Sequence, residues 1–302
     1  MKRLARRVMS RAKGAREFWQ DMSRYYRFST PAGVDALSSL TGRQLECQVT
    51  KDYHRIEKGL SLRDPRRPFG ASVKQRLDIT IPRAPESSAY RAYAGEARQA
   101  LAQWNDGHEI DPVVSRSLAQ LDGAEIDRAD LERFFRSRRS VRSFREEPVS
   151  SDLVAEAVLL AINTPSVCNR QSWRAHYYSG SEAQAVLALQ NGSKSFSRGI
   201  PAVLVVTVDN AMFSGSGERN QRWVDGGLFA MSLVWALHGL GLGTCMLNWS
   251  RVNSASDQLR RVGSIDTSEE IVVMIGMGWP DADARVARSA RRDLVDVLVV
   301  HD

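Results

Sequence analysis

The chain has 302 residues, of which 43% are hydrophobic and 25% charged, a composition typical of a folded globular protein with one or two domains. Its longest apolar runs, at 202–206 and 228–237, fall short of the roughly 20 residues that a membrane-spanning helix needs. The basic N-terminus is not followed by the apolar segment and cleavage site of a secretory signal peptide. We therefore expect neither an integral membrane protein nor a standard secreted one.

The cysteines and histidines form no pattern that would build a disulfide framework or a metal site. Cys47, Cys168 and Cys245 lie far apart in the sequence and include no CxxC pair. The five histidines are scattered, and none stands at ligand spacing from a cysteine. We therefore expect reduced thiols, a cytoplasmic protein and no bound metal.

The positive charge of the protein is concentrated at its N-terminus. The formal net charge is +7, and residues 1–30 account for all of it, with nine Lys or Arg against Glu17 and Asp21. The remaining residues contain 33 basic and 33 acidic side chains. A nucleic-acid-binding domain would need a basic surface across its fold, so we expect no nucleic-acid partner.

Residues 1–30 have the pattern of a basic amphipathic helix. The apolar residues recur at spacings of three and four, which places them on one helical face, while most basic residues fall elsewhere. These apolar positions are Leu4, Val8, Ala12, Ala15, Trp19, Met22 and Tyr26. Such a helix could lie on an anionic surface at the inner face of a membrane. The alternatives are a terminal helix packed on its own protein and a partly disordered leader.

Residues 31–126 differ in character, because six prolines and a polar stretch at 63–78 divide them into short pieces. Helices are predicted at about 35–48 and 89–106, so this extension is expected to be mostly helical. In the string YHRIEKGL, Gly59 is typical of the C-cap of a short charged helix. His54 and Glu57 could share a helical face as a catalytic pair, but a surface pair is the expected role.

After Asp127 the chain becomes regular and mixes helices with strands. Helices are predicted at 130–138, from Ser150 or Ser151 to about Ile162, at 224–240 and at 254–262, and strands at 173–179, 202–209 and 271–277. This mixture predicts an α/β or α+β domain. The chain is thus divided into a basic arm (1–30), a mostly helical extension (31–126) and this domain (127–302).

Four segments of the domain are unusually polar or conformationally constrained. The first is RRSVR at 138–142, whose guanidinium groups and hydroxyl suit a phosphate and nearby carbonyl oxygens. The second is the loop TPSVCNRQSW at 164–173, in which Asn169 and Gln171 could read the edge of a heteroaromatic ring. The third is a helix that begins with DGG at 225–227 and ends in HGLGLGT, and the fourth is GMGWP at 276–280, followed by several arginines.

In this order and spacing, the four segments resemble the nitroreductase family of flavoenzymes over about residues 130–300. The resemblance implies an α+β fold, a three-layer α/β/α arrangement with helices around a mixed, mainly antiparallel sheet. It also implies a homodimer with two FMN molecules at the subunit interface. The implied reaction is hydride transfer from NADPH or NADH to FMN and onward to a nitroaromatic, a quinone or another organic acceptor. No side chain is then expected to be a catalytic nucleophile, because the cofactor carries the redox chemistry.

The resemblance also implies FMN-binding roles for particular positions. Arg138 and Ser140, with Arg139 beside them, match residues that hold the phosphate and ribityl chain, and Arg142 matches a cation near the N1/O2 side of the ring. The loop that meets the FMN of the other subunit is matched by Pro165, Ser166, Val167, Asn169 and Gln171. Leu247 and Asn248 align with a stretch whose backbone N–H groups approach flavin N5. Arg291 matches a C-terminal arginine that returns to the phosphate, with Arg288 and Arg292 as competing candidates.

Two departures from the family pattern leave the substrate open. Ser172 stands where the family commonly has proline, and residues 1–125 form an extension that ordinary members lack. Its YHRIEKGLSL string is similar to one in a subgroup associated with surface-polysaccharide genes. The alternative functions are therefore a flavin-dependent dehalogenase or dehydrogenase with a dedicated metabolite substrate, and a non-catalytic FMN-binding protein associated with surface-polysaccharide biosynthesis.

Overall fold

A computed structural model describes residues 2–33, 35–121, 123 and 125–301, with the side chains of residues 2–8, 10 and 120 excepted. The N-terminal part is helical, with one long helix followed by three helices that pack on one another. These are α1 (Lys2–Phe28), α2 (Gly42–Leu60), α3 (Ala71–Thr80) and α4 (Ala89–Asn105). Helices α2 to α4 enclose a core of their own, as expected for the mostly helical extension. Within the described residues, no helix combines the length and hydropathy of a membrane span.

Helix α2 differs from its prediction at both ends. The bounds predicted at 35–48 are wrong, because residues 35–41 turn through a short 3-10 helix and α2 begins only at Gly42. The prediction that Gly59 is a C-cap is also wrong, since α2 continues through it to Leu60. A Cβ at position 59 would lie 2.5 Å from Cε2 of Phe69, so the glycine lets the following loop pack closely against the helix.

The C-terminal part contains the predicted mixture of helices and strands, although its boundary at residue 127 stays a prediction. Its elements are α5 (Arg128–Ser137), α6 (Ser151–Ala161), β1 (Trp173–Ser179), α7 (Gly180–Leu187), β2 (Ala202–Asp209), α8 (Gln221–Gly239), β3 (Gly243–Asn248), α9 (Asn253–Val262) and β4 (Glu269–Gly278). Two helices begin at side-chain caps. The carboxylate of Asp127 accepts from the backbone N–H of Ala129 at 2.8 Å, and the Ser150 hydroxyl accepts from that of Leu153 at 3.2 Å.

The strands form one sheet in the order β1-β2-β4-β3, with all three pairings antiparallel. Helices α6 and α8 cover one face of the sheet, and α7 and α9 cover the other. The predicted α+β fold with three α/β/α layers is therefore confirmed. Strand β3 is not predicted from the sequence, because glycines surround its start. Gly241 has a φ of +83°, which turns the chain between α8 and β3.

Candidate functional site

The arginine-rich segment at 138–142 lies beside the edge strand β3. Ser140 forms an isolated parallel bridge with Thr244, and the backbone N–H of Val141 donates to the Thr244 carbonyl at 2.9 Å. A Cβ at Gly243 would lie 3.0 Å from Val141, so the contact between the two segments is close. The structure thus brings Arg138, Arg139, Ser140 and Arg142 next to the strand that carries Leu247 and Asn248.

The guanidinium groups of this segment are not neutralised by acidic side chains. Among the described residues, no carboxylate oxygen forms an ion pair with Arg138, Arg139 or Arg142. The guanidinium groups of Arg139 and Arg142 donate to main-chain carbonyls of the same segment. Arg142 is exposed, and the other two are partly exposed. Three uncompensated guanidinium groups beside the Ser140 hydroxyl fit a phosphate, whose oxygens accept charge-assisted hydrogen bonds.

Strand β3 presents alternate residues to the core and to the outside. The side chains of Cys245 and Leu247 are buried against α7 and α9, whereas those of Met246 and Asn248 are exposed. The amide of Asn248 donates to the Ser250 hydroxyl at 2.8 Å. Since the Leu247 side chain is occupied in the core, its main chain is the part available to a ligand, as the resemblance implies.

The loop at 165–171 has an unusual main-chain conformation. Cys168, Asn169 and Gln171 have φ angles of 49°, 52° and 46°, in the left-handed region that residues other than glycine seldom adopt. The Ser166 hydroxyl accepts from the backbone N–H of Gln171 at 3.0 Å, and the two amides of Asn169 and Gln171 bond each other at 3.2 Å. Left-handed residues in a cluster are held by surrounding contacts and are typical of ligand-binding loops.

Two anchors hold this loop in place, and the sequence predicts neither. On one side, the buried Asp225 of α8 accepts from the backbone N–H of Val167 at 3.2 and 3.4 Å, and its burial raises its pKa. On the other side, the Arg170 guanidinium forms two 2.9 Å bonds with Glu218 and donates to the Cys47 thiol of α2 at 3.5 Å. Arg170 lies inside the quoted loop motif, but no local pattern marks Glu218 or Cys47 as its partners.

The loop and the arginine-rich segment are far apart within one chain. Trp173, which follows the loop, pairs with Val208 of β2, and Val208 pairs with Glu270 of β4. Thr244 of β3 pairs with Met277, which is seven residues farther along β4. Trp173 and Thr244 are therefore separated by about 14 Å across the sheet and about 23 Å along it. The structure therefore groups the predicted site residues into two half-sites at opposite corners, one at 138–142 with β3 and one at 165–171.

Arg291 lies with neither half-site in this structure. It belongs to the exposed C-terminal segment, and its described hydrogen bond goes to the Ser289 carbonyl. Arg292 lies 3.9 Å from Asp296 of the same segment.

A cavity of about 350 Å³ lies between part of the loop and the helical extension, beside the contact of Arg170 with Cys47. Tyr53 of α2 and Tyr90 and Tyr93 of α4 line one side, and Asn169 and Gln171 line the other. His54 and Glu57 are not among its lining residues; they bond each other at 2.9 Å, each about one third exposed. This pairing agrees with the expected surface pair, and the extension instead contributes its tyrosines to the surroundings of the loop.

A second polar cluster, which the sequence does not predict, lies across β1, β2 and β4. The carboxylate of Glu269 is 1% exposed and is bonded by His176 at 2.7 Å, by Arg174 at 3.1 Å and by the Thr207 hydroxyl. Burial disfavours the charged form, but the hydrogen bonds from His176 and Thr207 outweigh it and lower the pKa of Glu269. Because its partners satisfy it, this carboxylate has a structural role in the sheet.

Known proteins with similar sequences match the C-terminal part of the chain. The sequence model of the nitroreductase family matches residues 135–190 and 179–279. A 4-nitrobenzoate reductase of Pseudomonas putida is 24% identical over 209 residues, which cover 52% of this chain and 88% of that protein. A protein of Methanothermobacter thermautotrophicus, provisionally assigned as an NADH dehydrogenase or NAD(P)H nitroreductase, is 22% identical over 185 residues, with 60% and 90% covered.

The fold has solved counterparts as well. A Bacillus subtilis protein provisionally assigned as a nitroreductase aligns with a TM-score of 0.51 at 18% sequence identity. The alignment covers 58% of this chain and all of that one. The match agrees with the α/β/α arrangement built above, while residues 1–134 lie outside the match to the family model.

Proposed function

Because the C-terminal domain of this chain belongs to the nitroreductase family, we propose that the protein is an FMN-dependent oxidoreductase. It passes hydride from NADPH or NADH to a nitroaromatic, a quinone or another organic acceptor. The observation that supports this proposal best is the cluster of uncompensated guanidinium groups beside β3, which is built for an anionic ligand.

The chain's own residues bind and orient the cofactor in this proposal. Arg138, Arg139 and Ser140 hold the phosphate and ribityl chain through charge-assisted hydrogen bonds. Arg142 would supply a positive charge beside the flavin ring and so stabilise negative charge on it. The main chain of Leu247 and Asn248 would contact the flavin ring. When bound, FMN supplies the hydride chemistry, so no side chain is required as a nucleophile.

A complete site in this proposal needs a second copy of the chain. The half-sites at 138–142 and 165–171 lie at opposite corners of the sheet, too far apart for one FMN to contact both within one chain. Large apolar side chains are also exposed along α6 and α8, as unpaired subunit surfaces are. They include Leu159, Leu160, Ile162, Trp223, Val224 and Leu228. We therefore propose a homodimer in which each FMN contacts both subunits.

The C-terminal segment supports the same assembly. The side chains of Leu294, Val295, Val297, Leu298 and Val299 are each more than half exposed, so the described part of the chain leaves most of their apolar surface uncovered. A second copy would bury these side chains and could bring Arg291 or a neighbouring arginine to the phosphate.

The first test is the absorption spectrum of the purified protein after saturation with FMN and desalting. We expect flavin absorption that is retained and then bleaches when NADPH or NADH is added without oxygen. Loss of the flavin on desalting would contradict FMN binding and every site role given above. Retained flavin that neither donor reduces would contradict the NAD(P)H oxidoreductase and leave a flavoprotein with another function.

A second candidate is a flavin-dependent dehydrogenase or dehalogenase with one dedicated substrate. The tyrosine-lined cavity between α2, α4 and the 165–171 loop favours it, because an extension that borders this loop can restrict which acceptor approaches. Rapid reoxidation of the reduced flavin by generic quinones would contradict a dedicated substrate, whereas reoxidation by one metabolite alone would support it.

A further inference from the structure

Helix α1 contacts the rest of the protein through polar side chains on one face and through the buried Tyr25. The Glu17 carboxylate accepts from the backbone and side-chain N–H groups of Asn253 at 2.8 and 3.0 Å, and Asp21 accepts from the same side chain at 2.8 Å. Arg24 lies 2.6 Å from Asp257 of α9. These bonds orient the helix so that its acidic residues face the protein body.

The apolar face of α1 consequently faces outward. Phe18, Trp19, Met22 and Tyr26 are 77%, 62%, 50% and 56% exposed, whereas Tyr25, at the edge of the same stripe, is buried. Helix α1 does pack on its own protein, as one interpretation of the sequence predicts, but the amphipathic apolar stripe is left uncovered. Four large apolar side chains in three turns are far more than a solvated helix needs to expose.

The exposed side of the helix is also basic. Arg11, Lys13, Arg16 and Arg27 are exposed, and none of them has an acidic partner within salt-bridge distance among the described side chains. The two acidic residues of the arm are turned toward Asn253 and cannot offset these charges at the outer surface.

We propose that the outer face of α1 docks on an anionic lipid bilayer. An apolar stripe containing Trp and Tyr, flanked by basic residues, suits the boundary between lipid headgroups and acyl chains. Helix α1 has 27 residues and is about 40 Å long, and its exposed apolar side chains between Phe18 and Tyr26 would make the contact. The charge complementarity favours lipid over a second copy of the chain, because a second copy would bring two uncompensated basic arms together.

A second copy of the chain is the competing occupant of the outer face of α1. Phe18, Met22 and Tyr26 line a groove together with Trp223 of α8, which lies on the surface proposed for the homodimer. A partner subunit could therefore cover part of the stripe, and the experiment must separate the two occupants.

The test is sedimentation of the full-length protein with vesicles of neutral lipid and with vesicles that contain anionic phosphatidylglycerol. We expect the protein to sediment with the anionic vesicles alone and to be released by high salt, because surface charges are screened. Two variants address the two components: Trp19→Ser/Met22→Ser removes apolar contact, and Arg11→Gln/Arg16→Gln/Arg27→Gln removes charge. Each should lower the partition coefficient about tenfold or more.

Matched controls come from exposed positions elsewhere. Leu118→Ser removes an exposed apolar side chain, and Arg63→Gln/Arg66→Gln/Arg261→Gln removes three exposed charges; both should bind vesicles as the wild type does. Circular dichroism and thermal unfolding of every variant are compared with those of the wild type, to check that each variant is folded.

Three outcomes would overturn the proposal. The first is no sedimentation with anionic vesicles, and the second is binding that both α1 variants retain. The third is loss of the dimer in light scattering for Trp19→Ser/Met22→Ser without any lipid binding by the wild type, which would assign the stripe to a second copy.

Discussion

Arg170 and Glu218 form a bidentate ion pair in which both nitrogen–oxygen distances are 2.9 Å. The Arg170 side chain has no exposure, and Glu218 also accepts from the backbone N–H of Ser214 at 2.6 Å. The pair joins the 165–171 loop to the chain before α8, and the bond from Arg170 to Cys47 adds α2. A flavin-contacting loop in the proposed function is thus held by residues from three parts of the chain.

Replacing Glu218 with Gln should destabilise the protein, because it leaves the buried Arg170 guanidinium without its counter-charge. We expect a loss of about 3 kcal/mol in the free energy of unfolding, measured by denaturant titration. The control is Glu147→Gln, which removes an exposed carboxylate 3.2 Å from Arg145. That change should cost less than about 1 kcal/mol. Equal losses for the two variants would show that the Arg170 pair is not a structural anchor.

The same pair predicts a pH dependence. Burial disfavours the charged form of Glu218, but the hydrogen bonds from Arg170 outweigh this and hold its pKa below the ordinary 4.5. Its contribution to stability is therefore complete above pH 4.5 and is lost as the pH falls through the lowered pKa. Between about pH 5 and pH 3, the wild type should lose more unfolding free energy than Glu218→Gln. Parallel pH profiles for the two proteins would contradict this.

Two adjacent glycines of α8 should respond in opposite ways to alanine. A Cβ at Gly226 would lie 2.6 Å from Cγ2 of Val272 and 3.0 Å from Cγ1 of Val208, so Gly226→Ala should destabilise the protein by about 1–3 kcal/mol. At Gly227 the added Cβ would meet no described atom within 4 Å apart from the backbone of α8 and the two neighbouring residues, and Gly227→Ala should stabilise the helix by up to about 1 kcal/mol. Thermal unfolding measures the stability of the two variants. Equal stabilities would contradict the close packing of α8 on the sheet.

Arg142→Ala tests the proposed contact with the flavin ring. Loss of this charge should weaken FMN binding or slow flavin reduction about tenfold or more, because a charge-assisted hydrogen bond is removed. Arg145→Ala is the control, since Arg145 lies in the same segment but pairs with Glu147 at 3.2 Å. Fluorescence titration with FMN and stopped-flow reduction by NADPH measure the two quantities. Normal values for Arg142→Ala would count against its assigned role.

Subunit complementation tests whether each FMN site is shared between two chains. One variant carries Arg138→Ala/Arg142→Ala, the other carries Asn169→Ala/Gln171→Ala, and each alone should bind FMN weakly. A heterodimer purified through two different tags should regain one intact site, because each chain supplies the half that the other lacks. If the site were contained within one chain, the heterodimer would show no recovery of FMN binding.

Much of the C-terminal fold could be predicted from local sequence. Strands β1 and β2 have the predicted bounds, because runs of β-branched and aromatic residues between turn signals specify strands locally. Strand β3 could not be predicted in this way, since six residues that begin with Gly243 become a strand only through pairing with β4.

The candidate site divides in the same way. The types and order of its residues, from Arg138 to Asn248, are visible in the sequence and suffice for the family resemblance. Their separation into two half-sites is decided by strand order, because β1 and β3 lie at opposite edges of the sheet. Arg170 and Glu218 are 48 residues apart in the sequence, and no residue near either position predicts that they form an ion pair.

Helix α1 shows the division most clearly. The sequence by itself determined that residues 1–30 form an amphipathic basic helix, since helical periodicity is a local property of the chain. Only the tertiary structure decided which face is covered. Asn253 and Asp257 bond the polar face through hydrogen bonds and an ion pair, and those directional contacts, made more than 230 residues away, leave the apolar stripe exposed.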